Sequence, residues 1–560
     1  MSLRKHQVEL SKIISGIIGG SKIRTVYCHC TPGSGKSILP IIAGKLITAG
    51  LADKMIWIAP RLSLIDQAER EFVNPYFREL LNHRLLIRSS TNENNPCRGL
   101  HGFATTYNAV GMDDGALQYE LQRYRYILIL DEFHHVQEDS LWHKKIQPLF
   151  DMAAFRVLMT GTVERGDGTR IAFMPYRGNG SGLVPNLLDT GDTSVIFYGR
   201  EDALGERAII PLSFHLSDAR AEWQERTGRR RSITSIDTMN ESLASKAIYT
   251  ALRTEFAEEL LESGLAHWQE HRRRVPGAKC LVVTSNIEEA KRHTKAMKAM
   301  GFGARFEIAT SEDSPAALKV IKKMKAGEMD VLVTVAMAYE GLNIPAVSHI
   351  ICLTRIRSTP WIEQMTARAN RIDPGAGPYD EQMGHIFAPA DPLFKEIVSR
   401  IEAEQLPMLR DREAAEKSGR AKPGEGDGFF LQPSPGGITA LSSGLTGKRE
   451  VVLGNGAKNI PQNIPYENAE LLLPSEIEAD LLGQIESHIR IYAFKNRFNP
   501  KQINGEVYEH FYKARRDMTI EELKKCLAHV QAQYPLSRIR GTGRRVPTKA
   551  QPFPCTWRNE

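Results

Sequence analysis

Two stretches of this chain carry residue types suited to phosphate chemistry. Thr31-Pro32-Gly33-Ser34-Gly35-Lys36-Ser37 follows an apolar run and precedes a helix-like segment. In that setting glycines let backbone N–H groups turn inward around phosphate oxygens, and the helix N-terminus adds partial positive charge. Lys36 would reach the β and γ phosphates of a nucleotide, and Ser37 would ligate Mg²⁺. The strict phosphate-loop pattern places glycine at position 30, where this chain keeps another small residue, Cys30. The second stretch is Asp131-Glu132-Phe133-His134-His135, entered from four aliphatic residues. Taken alone it could be a metal site, an acid/base pair or part of a motor. Beside a phosphate loop, a strand ending in Asp-Glu can put Asp131 where it holds Mg²⁺ and Glu132 where it polarises the attacking water.

The elements that must hold these residues are short buried strands. Thr25 to Cys30, Met55 to Ala59, Ile127 to Leu130 and Arg156 to Thr160 are apolar runs bounded by Gly, Pro or charge. Runs of that length and composition suit parallel strands of an α/β sheet, here over residues 1–172. A second series, Lys279 to Thr284, Asp330 to Val335 and His349 to Leu353, predicts another α/β unit over 276–414. Between them, 173–275 reads as a connector with a helical segment, its apolar Ile248, Leu252, Phe256 and Leu260 at helical spacing. Residues 415–470, rich in Gly, Pro and Ser, are expected to be a flexible linker. A helical accessory module over 471–535 and a basic tail over 536–560 complete the order.

With Phe133 and His134 the carboxylate stretch becomes an Asp-Glu-x-His box, and the chain then resembles superfamily 2 helicases and translocases, because further boxes of that group follow in order. The resemblance implies two RecA-like domains with ATP and Mg²⁺ in the cleft between them. Gln7, in Leu3-Arg4-Lys5-His6-Gln7, looks like the adenine-recognising glutamine. Pro60-Arg61 and Thr105-Thr106 lie in boxes that touch the nucleic-acid backbone. Thr160-Gly161-Thr162 resembles the box that couples ATP state to domain closure, a role implied also for His134 and Gln364. In the second unit, Thr284 and Thr334 fall on nucleic-acid positions, and Gly341 and Asn343 on ATP positions. Gln364-Met365-Thr366-Ala367-Arg368-Ala369-Asn370-Arg371 matches the Q-x-x-x-R-x-x-R box. Its spacing predicts Arg368 and Arg371 on one helix face, a fork of fixed positive charge for the γ-phosphate.

Departures narrow the resemblance. Val335-Ala336 stands where many relatives have Thr-Asp, and Asn343 where they have aspartate. Ala338-Tyr339-Glu340-Gly341 and Arg165-Gly166-Asp167-Gly168 are closer to restriction-subunit and UvrB-like members, most of which act on duplex DNA. DNA is therefore expected before RNA. The alternative is an ATP-gated DNA-binding subunit of a larger complex, without processive unwinding.

Composition accords with this. At 42% hydrophobic and 25% charged the chain reads as an ordinary globular protein. No apolar run is long enough to span a membrane, and the N-terminus lacks the apolar core of a signal peptide, so a cytoplasmic protein is expected. Seven scattered cysteines without a CxxC pair predict reduced thiols, with Cys28 and Cys30 as packing residues of the first strand. The net charge is +7, and residues 536–560 hold six basic residues against one acidic. Such a tail suits a polyanion. Residues 475–560 are the expected surface for a protein partner.

Overall fold

The computed structural model describes residues 3–90, 93–163, 169–178, 184–238, 241–310, 315–335, 344–405, 438–453 and 472–536. The first sheet is built from β1 (Thr25–Cys30), β2 (Lys54–Ala59), β3 (Ile87–Ser89), β4 (Gly102–Thr106), β5 (Tyr126–Asp131) and β6 (Phe155–Thr160). After a two-residue ribbon, β7 (Tyr176–Arg177) with β8 (Val184–Pro185), the chain returns as β9 (Thr193–Tyr198). The order is β3-β4-β2-β5-β6-β1-β9, parallel throughout. Both faces are covered, which is why β5 reads as an unbroken apolar run: Ile127, Leu128, Ile129 and Leu130 are all fully buried. Each such side chain contributes roughly 1.5–3 kcal/mol by leaving water. That burial anchors the strand end from which Asp131 and Glu132 emerge.

The second sheet comprises β10 (Leu212–Glu225), β11 (Arg230–Ile233), β12 (Lys279–Thr284), β13 (Phe306–Ala309), β14 (Val331–Val335), β15 (Val347–Leu353), β16 (Gly384–Pro389) and β17 (Ile438–Leu453). Its path is β11-β10-β16-β15-β12-β14-β13, with β17 antiparallel along β10. The fold is thus two tandem RecA-like α/β domains followed by a helical C-terminal region.

Three expectations change. Residues 438–453, read as linker, form a strand of the second sheet, because β10 is long enough to hold β17 along its length. A glycine-rich composition hid an edge strand whose pairing is set by a partner more than two hundred residues upstream. The connector 173–275 is not a separate unit: β9 belongs to the first sheet, β10 to the second, and helix Glu255–Arg274 packs Leu260, Leu261, Leu265 and Trp268 into the second domain's core. Finally, helix Thr359–Thr366 ends before Arg368 and Arg371, so these arginines share no helix face. The backbone tightens there, with Arg368 N donating to Met365 O and Ala369 N to Thr366 O, and Asn370 O then accepts from Ile210 N at 2.7 Å.

The C-terminal helices Pro474–Asn496, Pro500–Phe511 and Ile520–Gln533 share a core of Ile485, Ile489, Ile503, Val507, Leu523, Cys526 and Val530. Thr519 and Glu522 form the capping box their spacing suggests, Glu522 N donating to Thr519 Oγ1 at 3.2 Å and Thr519 N to the Glu522 carboxylate at 2.7 Å. The module sits on the first domain. Arg88 Nη2 and Arg98 Nη1 reach Glu478 Oε2 at 2.9 and 2.7 Å, and Ser475 donates from N and Oγ to Glu69 at 2.7 and 2.8 Å. Among the described residues no helix is long and apolar enough to cross a membrane.

Candidate nucleotide site at the domain cleft

The phosphate loop turns on two glycines in the left-handed region, Gly33 at φ 86° and Gly35 at φ 88°, a conformation that L side chains resist. Space is equally short: a β-carbon on Gly33 would meet Asn370 Oδ1 at 3.0 Å, and one on Gly161 would meet the Pro32 ring at 2.8 Å. The loop is therefore gripped from its own domain by the Thr160-Gly161-Thr162 segment and from the second domain by Asn370. Arg4 Nη1 donates to Ser34 O, and Gln7 Nε2 to Gly35 O at 3.3 Å while Gln7 Oε1 accepts from Arg4 N at 3.0 Å. In this arrangement Gln7 braces the loop. The loop then runs into a 3₁₀ turn, Lys36–Ile38, and helix Leu39–Ala43.

Lys36 Nζ lies 2.6 Å from Glu132 Oε1, and Gly161 N donates to Glu132 Oε2 at 3.2 Å. Glu132 holds a left-handed backbone, φ 47°, which for a non-glycine residue costs on the order of 1–3 kcal/mol. The strain turns its carboxylate back toward the loop lysine. Burial pushes the Glu132 carboxyl up, but the Lys36 ammonium and His134 outweigh it and hold it well below the usual range. Burial likewise opposes the Lys36 charge and is outweighed by Glu132 and Asp131, which raise it. Asp131 goes the other way: burial, then the neighbouring Glu132, push it up to about 7, against Lys36 and a bond from Trp57 Nε1 at 3.3 Å. One carboxylate is thus ionised and one poised to take or lose a proton, a division that a bound cation would reset.

His134 connects this cluster to the second domain. Its Nδ1 lies 2.8 Å from Thr160 Oγ1 and 3.4 Å from Glu132 Oε2, and its Nε2 lies 3.1 Å from Gln364 Nε2. Thr160 Oγ1 in turn donates to Thr162 O at 2.6 Å. His135 stacks on His134. The three predicted coupling segments therefore meet in one buried contact.

Other predicted residues are placed differently. Ser37 Oγ donates to Glu71 Oε1 at 3.0 Å, so a buried carboxylate from helix Leu62–Val73 holds the hydroxyl expected at Mg²⁺. Thr31 is buried beside the loop, with its N bonded to Tyr198 O at 2.9 Å. Pro60 and Arg61 lie at the end of β2, partly exposed, Arg61 opening the helix that follows. Thr105, Thr106, Thr284 and Thr334, expected on nucleic-acid positions, are all buried. Thr106 Oγ1 caps a helix by accepting from Ala109 N, and Thr284 Oγ1 donates to Thr334 O at 3.1 Å. Thr334 Oγ1 in turn donates to Val335 O at 3.3 Å, so three of these four hydroxyls bond within the protein. Gly341 and Asn343, with Arg165 to Gly168, lie outside the described residues.

From the Gln364 to Arg371 segment, Asn370 reaches the phosphate loop, while Arg371 adds to the positive field around Lys325, beside Arg70. Asn370, Glu71 and Trp57 went unassigned in the sequence reading; only Asn370, between the two arginines of a box, carried a local signal. Among the described residues, Ser34 Oγ and both polar atoms of the fully buried Asn370 carboxamide have no hydrogen-bond partner. Unsatisfied donors and acceptors around a glycine loop with a lysine and two carboxylates fit a Mg²⁺-bound nucleoside triphosphate. Cys28 and Cys30 pack in the core, as read, and His29 turns its Nε2 to Gly161 O at 3.3 Å.

Residues 1–165 match the family model of the type III restriction enzyme res subunit, and residues 258–373 that of the helicase conserved C-terminal domain. The uncharacterized protein Rv2917 of Mycobacterium tuberculosis is 22% identical over 396 residues, 70% of this chain and 62% of that protein. The uncharacterized protein ML1624 of Mycobacterium leprae is 22% identical over 395 residues, 70% and 63%. The chain thus spans a little over three fifths of the length of these relatives. Among solved structures, the type ISP restriction-modification enzyme LlaBIII bound to DNA aligns with TM-score 0.45 at 13% identity over 75% of this chain and 31% of that one. The Mycobacterium smegmatis helicase Lhr, bound to single-stranded DNA and AMP-PNP, aligns with TM-score 0.43 at 14% identity over 75% and 49%.

Proposed function

The chain belongs to the superfamily 2 helicases, and from that premise we propose that it hydrolyses ATP in the cleft between its two RecA-like domains to move along DNA. The observation that carries the proposal is the continuous buried contact from Lys36 through Glu132 and His134 to Gln364, which joins the phosphate loop to the other domain. Lys36 releases Glu132 when its ammonium turns to phosphate oxygens. Glu132, freed and already ionised, accepts a proton from a water aligned on the γ-phosphate. Asp131, once ionised, and Ser37, once released from Glu71, would hold Mg²⁺, which would supply neutralisation of the phosphate charge. Arg368 and Arg371 supply positive charge from the second domain, Gly341 and Asn343 complete the nucleotide contacts, and Pro60 and Arg61 meet the nucleic-acid backbone. His134 and Gln364 carry the change in Glu132 across the cleft, so that nucleotide state alters domain closure.

DNA is favoured over RNA by the restriction-subunit match over the first domain. The basic tail adds an electrostatic, salt-dependent share. The described cysteines are all free, which suits a reducing compartment such as the cytosol. Exposed Phe494, Tyr508 and Tyr512 on the accessory module offer a surface to a protein partner. The test is ATP turnover measured without nucleic acid and with single-stranded DNA, duplex DNA and RNA at fixed salt, together with displacement of a triplex-forming strand. Stimulation by DNA with displacement is expected. Turnover unchanged by any polymer would overturn the proposal, and stimulation without displacement would assign the ATP-gated binding subunit.

A further inference from the structure

Five histidines converge between the second sheet and helix Glu255–Arg274. His215 on β10, His385 on β16 and His349 on β15 come from three adjacent strands. His349 pairs directly with His385, and His215 pairs with Phe387, two residues beyond His385, so all three side chains stand on one face of the sheet. The covering helix supplies His267 and His271, one turn apart and hence on one side of the helix. His215 Nε2 lies 3.2 Å from His385 Nδ1, and ligand atoms of His215, His267 and His385 all lie within 4.8 Å of one another.

We propose that His215, His267 and His385 bind one divalent transition-metal ion, Zn²⁺ by preference, with the fourth coordination position left to water in the adjoining cavity. Zn–N bonds of about 2.0–2.1 Å in a tetrahedron require nitrogens roughly 3.3 Å apart. The His215–His385 pair already has that spacing, and small rotations about the side chains would draw in His267. His349 is set as the outer partner. Its Nε2 lies 2.8 Å from His267 Nδ1, leaving His267 Nε2 for the ion, and its own Nδ1 lies 2.9 Å from Ser348 Oγ. The cavity, about 490 Å³, is lined by His215 and His267 together with Glu259, Glu262 and Phe387. It gives an ion a route in and a place for a fourth ligand. Burial, together with neighbouring imidazoles and Arg274, lowers these histidines below their usual range, so the nitrogens offer lone pairs at neutral pH. An ion here would pin helix Glu255–Arg274 to β10 and β16 of the second domain.

The experiment uses the full-length chain without a histidine tag, stripped with chelator and titrated with Zn²⁺ against a chromophoric competitor. About one tightly bound equivalent is expected. The double variant His215→Ala/His385→Ala should lose more than roughly 100-fold in affinity, and His349→Gln about 10–100-fold, as for an outer partner. His510→Ala, on the accessory module, should keep the full equivalent. Cobalt reconstitution of the unmutated chain is decisive even where a variant fails to fold: intense visible bands of four-coordinate Co²⁺ with nitrogen ligands are expected. The weak spectrum of hydrated Co²⁺, or Zn²⁺ affinity unchanged in the double variant, overturns the proposal.

Discussion

The first domain carries two buried charged clusters, and they are built to opposite ends. At the seam with the accessory module, Arg88, Arg98 and Glu478 have side chains no more than 5% exposed, and the Glu478 carboxylate is filled by protein donors. At the cleft, Lys36 and Glu132 pair just as closely, but around them Ser34 and Asn370 leave polar atoms unsatisfied and Glu132 holds a strained backbone. The joint pairs most of its groups with one another, Arg98 Nε being left over. A site leaves some waiting for what is to bind.

Breaking the joint should give the largest effect. Glu478→Ala leaves two buried guanidiniums short of a partner, and removing one member of a buried pair costs about 3–5 kcal/mol. The outcome expected is release of residues 472–536 to limited proteolysis together with a lowered unfolding midpoint; an unchanged digestion pattern would mean the module is held otherwise. At the cleft, Lys36→Ala should cost about 10²–10³-fold in ATP hydrolysis, the range for loss of one preorganised charge-stabilising donor, and should lower the unfolding midpoint less than Glu478→Ala does, because the Lys36–Glu132 pair is the more exposed of the two. Near-normal phosphate release would sink the assignment of the loop. The comparison predicts the larger loss of stability at the joint and the loss of turnover at the cleft.

The same contrast explains what could be read in the sequence. Lys36, Asp131, Glu132, His134 and Thr160 sit at strand ends or helix starts and Gln364 in the last turn of a short helix, where local residue order fixes geometry, and they do meet in the folded chain. Glu478 binding Arg88, β17 pairing β10 and the five histidines joining three strands to a helix depend on contacts between segments far apart, for which no local period exists. The burial of the threonines at 105, 106, 284 and 334 was hidden for a different reason. Their positions at strand ends were legible, but a hydroxyl's choice between outside ligand and neighbouring backbone was not. Arg368 and Arg371 failed on a helix boundary, one residue of capping being enough to separate a face.

A smaller effect separates the chemistry of the cleft from its transmission. Gln364→Ala removes the second domain's hold on His134 without touching Lys36 or Glu132. Basal hydrolysis should survive, while the ratio of DNA-stimulated to basal turnover should fall by about 2- to 30-fold, equivalent to 0.5–2 kcal/mol of coupling. Equal loss of both rates would place Gln364 in the chemical step.

The smallest effect expected is a fraction of a proton at Asp131. Its folded pKa is raised from the ordinary carboxylate value of 3.8 to about 7. Across that window the folded chain binds more protons than the unfolded one, so stability falls as pH rises. The contribution is complete below the unfolded value and lost as pH passes about 7. Holding Mg²⁺ needs the ionised form, so Mg²⁺–nucleotide binding should release a proton inside the same window and strengthen as pH rises through it. Calorimetry near pH 6 in buffers of different ionisation enthalpy reads that release directly. Asp131→Asn should abolish it; Glu478→Gln, at the joint with the accessory module, should leave it intact. Release that persists in Asp131→Asn would move the poised proton to another group and remove the distinction drawn here between a filled cluster and one held ready.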